Sequence, residues 1–335
     1  MTPRLDWDAD KDSAQRAARV VALRALDGVA DARARLRKRD AESVHEFRIA
    51  LRRLRSWLRM YRPVLDDTLT RRSRRRLHRL ARATTRLRDI DVQIQWLHAE
   101  RKALGESRLE AAKWIVLSLK SDRRRAWGRF RRTLEREFPK TEKVLRRQLT
   151  QYVVRRDVRT DDSVTSIRTV AAQALGEQAD ALGSAFKRIR SADDTKRLHR
   201  ARIIAKRMRY VLEAIAEKVP GADGVAGDLH RFQDIVGELR DAQLLAHRVT
   251  REVTSIAAER TALVASELVY RPAGPMDFSR VIADTPFDAS LSLLFARLRD
   301  RISAASRAVS AALETASAQR LVRGVETISG TFGEA

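Results

Sequence analysis

Apolar residues recur at helical spacing along nearly the whole chain, and one stretch of that pattern occurs twice. Val44, Phe47, Leu51, Leu54 and Leu58 form a seam, and so do Leu198, Ala201, Ala205, Met208 and Leu212, 154 positions later. One residue beyond each seam position stands a second, basic stripe. In the first copy it reads His45, Arg48, Arg52, Arg55 and Arg59; in the second it reads His199, Arg202, Lys206, Arg209 and Glu213. At 1.5 Å of rise per residue, successive cations lie about 5 Å apart along the helix. Evenly spaced cations beside a packing seam suit an evenly spaced linear polyanion.

Followed along the chain, the pattern predicts four helical segments in the first half. The first covers about 13–38, capped by Asp12-Ser13, and the second about 42–62, stopped by Pro63. The third covers about 66–102, with a bend or break at Thr84-Thr85 and an end at Gly105. The fourth covers 107–138, stopped by Pro139, with an extension to about 152. A polar joint at 155–162 follows, and the plan then repeats. Asp162-Ser163 caps a helix to about 190, and further helices cover 195–218, 224–268 and 287–317. Pro220-Gly221 and a proline-bearing loop at 270–286 separate these, and the tail after Gln319 is weakly patterned.

Two more elements recur, both at an offset of 152. Leu77-His78-Arg79 returns as Leu229-His230-Arg231, and Leu87-Arg88-Asp89 as Leu239-Arg240-Asp241. Repeated blocks in one order predict an all-α protein built by duplication of a four-helix unit. Its bundles would cover 10–154 and 162–318 and be related by an internal pseudo-twofold.

Composition agrees with helices: of 335 residues only 13 are Gly and 7 Pro, and 44% are hydrophobic. The absence of cysteine excludes disulfides and thiolate metal sites. The N-terminus lacks the apolar core of a signal peptide, and no stretch approaches the roughly 18 apolar residues of a membrane span. A soluble cytoplasmic protein is the expectation.

Charge sharpens the picture through its distribution. The net charge is +25. Residues 1–160 hold 44 Lys and Arg against 21 Asp and Glu, a net of +23, while residues 161–335 hold 25 against 23, a net of +2. Self-repulsion on that scale calls for counter-anions. Arg outnumbers Lys 58 to 11, a bias that a GC-rich genome also produces. Arg75, His78, Arg82 and Arg86 form another basic stripe in the first half; their counterparts are Gly227, His230, Asp234 and Glu238. The first half therefore carries the stronger expectation of anion binding.

Metal binding and catalysis find little support. No His has a second His at i+4, and the neighbours of the repeated histidines are Arg. Arg88-Asp89 and Arg240-Asp241 fit a capping Asp at a restarted helix and an Asp orienting a functional Arg equally well. No Gly-rich phosphate loop and no nucleophile–His–Asp order is present. Glu135-x-Glu137 runs into Phe138-Pro139 rather than into the alternating pattern of triphosphate-hydrolysing tunnel enzymes.

Val44-His45-x-x-Arg48-x-x-x-Arg52-Arg53-Leu54-Arg55, its echo at His199 and the two Leu-Arg-Asp elements resemble the conserved histidine α-helical domain (CHAD) family. The resemblance spans about residues 10–318. The residues themselves lead to a non-enzymatic reading without a cofactor, with which the role of a polyphosphate-granule adaptor that recruits partner proteins is compatible. The resemblance implies two four-helix bundles around a basic groove or pore that binds inorganic polyphosphate. It also implies ligand contacts at His45, Arg48, Arg52, Arg55, His78, Arg82, Arg88, His199, Arg202, Lys206, Arg209 and Arg240, to which the stripe itself adds Arg59.

Two competing readings belong to other classes. A nucleic-acid-binding module would interleave aromatics with its basic residues, and aromatics are only 5% here. A phosphohydrolase or its accessory protein would release phosphate in the presence of Mg²⁺.

Overall fold

The computed structural model describes residues 14–37, 40–65, 69–104, 110–150, 167–216, 219–270 and 286–334. Every regular element among them is a helix: α1 (Ala14–Ala34), α2 (Ala41–Met60), α3 (Arg62–Leu65), α4 (Arg71–Ala83), α5 (Thr85–Leu104), α6 (Glu110–Thr150), α7 (Ile167–Arg188), α8 (Thr195–Ile215), α9 (Ala222–Tyr270), α10 (Pro286–Leu313) and α11 (Thr315–Glu334). None of them is long and apolar enough to cross a membrane. The expected caps at Asp12-Ser13 and Asp162-Ser163, the end at Gly105, the joint at 155–162 and most of the 270–286 loop lie outside the described residues.

The described chain falls into two compact units. The first comprises Met1–Arg88, Ala126–Val236 and Arg307–Ala335; the second comprises Asp89–Arg125 and Gly237–Ser306. Each unit draws on sequence from both sides of the 155–162 joint. The duplication of a four-helix unit stays an inference from the sequence repeat.

In the first unit α1 packs on α2, α7 on α8, and α2 on α8. The seam of α2 supplies Val44, Phe47, Leu51, Leu54 and Leu58 to the core, each at most 2% exposed. The α8 seam supplies Leu198, Ala201, Ala205, Met208 and Leu212. Phe47 meets Phe130 and Phe138 of α6 at ring separations of 5.9 and 6.3 Å. Both motif helices start at an Asp cap with the repeat's offset. Asp40 accepts from the Glu42 and Ser43 amides, and Asp194 from the Arg197 amide.

In the second unit α5, α6, α9 and α10 bury apolar positions that include Leu97, Ile115, Leu119, Leu245, Leu294 and Leu298. Buried Arg248 is tied to Asp122 and Glu252, both at 2.6 Å, and to the Ser118 hydroxyl at 3.1 Å.

Several boundaries differ from the sequence reading. Pro63 does not stop α2, which ends at Met60; it lies in the first turn of α3, where its missing N–H is no loss. Pro139 does not stop α6, which runs through it. The seam Leu134, Phe138, Thr141, Leu145 and Leu149 is buried on both sides of the proline. Burying Phe138, Leu145 and Leu149, at about 1.5–3 kcal/mol each, outweighs the roughly 3 kcal/mol cost of an interior proline. The expected break at Thr84-Thr85 is present, between α4 and α5.

The weakly patterned tail is also helical. As α11 it packs along α7, burying Ala318, Val325 and Ile328. The Ser329 hydroxyl donates to the Ala172 carbonyl at 2.7 Å. A methyl group at Gly324 would come within 3.2 Å of Val225. Val225 belongs to α9; on the α7 side Gly176 and Gly183 let Ser329 and Val322 of the tail approach closely.

Candidate anion-binding site

The sequence of α2 places its basic stripe one residue beyond a buried seam, so those side chains emerge at the edge of the core instead of its far side. Helices α4 and α8 supply the facing side chains. α4 (RRSRRRLHRLARA) holds seven arginines and no acid in thirteen residues, and it stands as a helix by burying Leu77 and Leu80. Its N-cap Thr70 accepts from the Ser73 amide at 3.2 Å. At its other end buried Thr84 donates to the Ala81 carbonyl at 2.7 Å and accepts from the Arg48 guanidinium at 3.1 Å. The helix break thus orients one of the stripe's cations.

Arg48, Arg52 and Arg55 of α2, His78 and Arg82 of α4 and Lys206 of α8 line one open pocket of about 350 Å³, completed by Leu51, Ala81, Thr84 and Thr85. No carboxylate lines it. Among the described residues none forms an ion pair with Arg52, Arg55, His78, Arg82 or Lys206.

The cations perturb one another. Burial, and then the charges of Arg52, Arg202, Arg48 and Arg209, push the Lys206 ammonium down to about 6. Burial lowers Arg52, with Arg209 and Arg202 adding to it and Tyr210 opposing. Burial and Arg59 lower Arg55. His78 is lowered by burial and by Arg55, Arg82 and Arg59. His45 is lowered by burial and then Arg88, with Arg52 and Arg48 adding and Glu42 opposing. An anion in the pocket would offset the mutual repulsion of these cations, and guanidinium groups pair with phosphate oxygens through charge-assisted hydrogen bonds.

The remaining expected residues fall around this pocket unequally. Arg59 is exposed beside Arg55, and Arg88 lies next to His45. Arg202 flanks Arg52 and Lys206 while its Nε donates to the Gln233 carbonyl at 2.9 Å. Arg209 is buried, donates to Glu213 at 2.7 Å and stacks on the Tyr210 ring at 4.6 Å. His199 is half-buried and does not line the pocket. Arg240 belongs to the second unit. The second-half counterparts of the α4 stripe are engaged elsewhere: His230 pairs with Asp234 at 2.6 Å, and Glu238 with Arg301 at 2.6 Å.

Three contributors escaped the stripe analysis. Arg207, lowered to about 10 by burial and by Arg59 and Arg55, sits one position past Lys206, as Arg53 sits past Arg52; the doubled basic pair was the available signal. Tyr210 lies under the Arg52 guanidinium at 5.1 Å. Thr84 was visible only as a helix breaker.

Comparison with known proteins agrees with this architecture. The structure is similar to the crystal structure of the CHAD domain from the plant Ricinus communis, with a TM-score of 0.54 and 19% identity over 87% of this chain and 94% of that one. It is also similar to PptA from Streptomyces chartreusis, with a TM-score of 0.56 and 15% identity over 90% of this chain and 99% of that one. No curated protein matches the sequence. Residues 21–250, which carry both motif helices and the whole pocket lining, match the CHAD domain family, and the chain therefore belongs to that family.

Proposed function

We propose that the chain is a non-enzymatic binding protein for inorganic polyphosphate. The observation that carries this reading is the convergence of six basic side chains from α2, α4 and α8 on one open pocket without a carboxylate. Four guanidinium groups, an amine and an imidazole in one pocket repel one another in their charged forms until an anion of comparable charge density enters. Successive phosphates along a flexible chain meet successive guanidinium groups along α2.

The burial of the motif aromatics favours polyphosphate over nucleic acid. Trp57 is 4% exposed and its indole N–H donates to the Ala18 carbonyl at 3.0 Å. Tyr210 is 6% exposed beneath Arg52. Neither offers a face for base stacking.

The test is titration with polyphosphates of defined length across a salt series, in competition with single- and double-stranded nucleic acid. Polyphosphate is expected to bind more tightly than nucleic acid of equal charge, with affinity falling steeply as salt rises. Equal or tighter binding of nucleic acid overturns the reading, and Mg²⁺-dependent phosphate release overturns its non-enzymatic part.

A further inference from the structure

Among the pocket's cations Lys206 differs from the four arginines in being able to lose its charge. Guanidinium groups do not deprotonate at accessible pH, and the facing groups from the elements around it are Arg48, Arg52 and Arg55 of α2, His78 and Arg82 of α4, and Arg202 and Arg209 of its own helix. Lys206 is mostly buried against the floor, yet it lines the open pocket, and no carboxylate among the described residues pairs with it. A desolvated amine that faces several guanidinium groups gives up its proton because they cannot. The drop of its ammonium to about 6 agrees with this. Desolvation and neighbouring cations are the two conditions that turn a lysine into a nucleophile at neutral pH.

We propose that Lys206 is the reactive amine of this pocket and is acylated at Nζ by small acyl phosphates, whose phosphoryl group seats on Arg52 and Arg55. The amine lone pair attacks the acyl carbon, the bond from that carbon to the phosphate oxygen breaks, and inorganic phosphate leaves. The amine proton departs with the phosphate or to water, so the products are a neutral amide and free phosphate. The arginines that seat a polyphosphate segment stabilise the same leaving group. Acylation makes the charge loss permanent, and a bound polyanion, which restores the proton to Lys206, prevents it. The second half of this proposal rests on the polyphosphate reading, whereas the first half does not.

The experiment treats the full chain with acetyl phosphate and follows each lysine by mass spectrometry. Exposed Lys113, Lys120, Lys140 and Lys143 serve as references within the same molecule. At pH 7, Lys206 is expected to react at least about ten-fold faster than these. Its rate should stay nearly flat above pH 7, whereas an ordinary amine gains about ten-fold per pH unit in that range. Arg52→Gln/Arg55→Gln should slow Lys206 to the reference rate, and Lys206→Arg should leave the reference lysines unchanged. Acetylation of Lys206 no faster than the references, or with the same pH slope, overturns the proposal. Polyphosphate binding is measured in parallel without acetyl phosphate. A chain that shows fast Lys206 acetylation but no polyphosphate binding refutes the function reading alone. A chain that binds polyphosphate yet acetylates Lys206 equally fast in its presence refutes the protection half.

Discussion

Helices α2 and α8 carry the same motif, pack against each other and meet different fates. In α2, Arg52 and Arg55 face the pocket without a carboxylate partner, while Arg53 reaches only Glu213, at 4.0 Å. In α8, Arg209 is bound to Glu213, Arg202 to a backbone carbonyl, and Lys206 is discharged by burial. The helices that follow show the same contrast. His78 and Arg82 of α4 face the pocket, whereas His230 of α9 is held by Asp234. Helical spacing decides where a cation stands. The placement of acids one turn away decides whether its charge is available to a ligand.

The largest expected effect comes from removing the row of α2 arginines that lines the pocket. With charge-assisted hydrogen bonds worth about 1.5–3 kcal/mol each, Arg48→Ala/Arg52→Ala/Arg55→Ala should weaken polyphosphate binding by about a thousand-fold or more at fixed salt. The salt slope should become shallower by about 2–3. Arg202→Ala/Arg209→Ala, in the second copy, should cost only about ten-fold. Equal losses from the two sets would show that the copies share the load.

The next experiment imports the second copy's device into the first. Arg82→Asp places an acid one turn from His78, as Asp234 stands to His230. Losing one cation and adding one anion should weaken binding by about thirty-fold. Asp234→Arg, the reverse change, should alter it by less than about three-fold, since position 234 is outside the pocket. Titration at one salt concentration separates these outcomes.

A smaller effect is expected from pH. Between about pH 6 and the ordinary lysine range near 10.4, the unfolded chain holds a proton that folded Lys206 has lost, so the ligand-free protein should gain stability as pH rises through this window. His45 and His78, both lowered, extend the gain on the acid side up to their ordinary value near 6.5. Thermal melts at low ionic strength should show Tm rising from pH 6 to 9, with a visibly flatter slope in Lys206→Met. Polyphosphate affinity should move oppositely, strengthening as pH falls and the same groups charge. A Tm that falls with pH over this window would contradict the discharged state of Lys206.

The smallest effect tests the tether itself. Glu213→Gln frees Arg209 and Arg53 of their shared carboxylate and should raise affinity by about two- to three-fold at low salt. Unchanged affinity would place Arg209 beyond the ligand's reach.

What the sequence determined by itself is local. A seam of period 3.6 with cations one position further on makes α2 and α8 helices and sets each cation at the core's edge, because both consequences follow from the geometry of a single helix. The break at Thr84-Thr85 and the excess of cations in the first half were legible for the same reason. The tertiary structure decided everything that depends on partners distant in sequence. It ran α6 through Pro139 because a buried seam outweighs one lost hydrogen bond, and it made the tail a helix because packing along α7 gave its short apolar seam a place to bury. It set Thr84 against Arg48 and Lys206 against Arg52. It also gave Arg202 and Arg209 nearer partners than any ligand, since the free energy of a charge depends on which charges and dipoles the folded chain brings within a few ångströms of it.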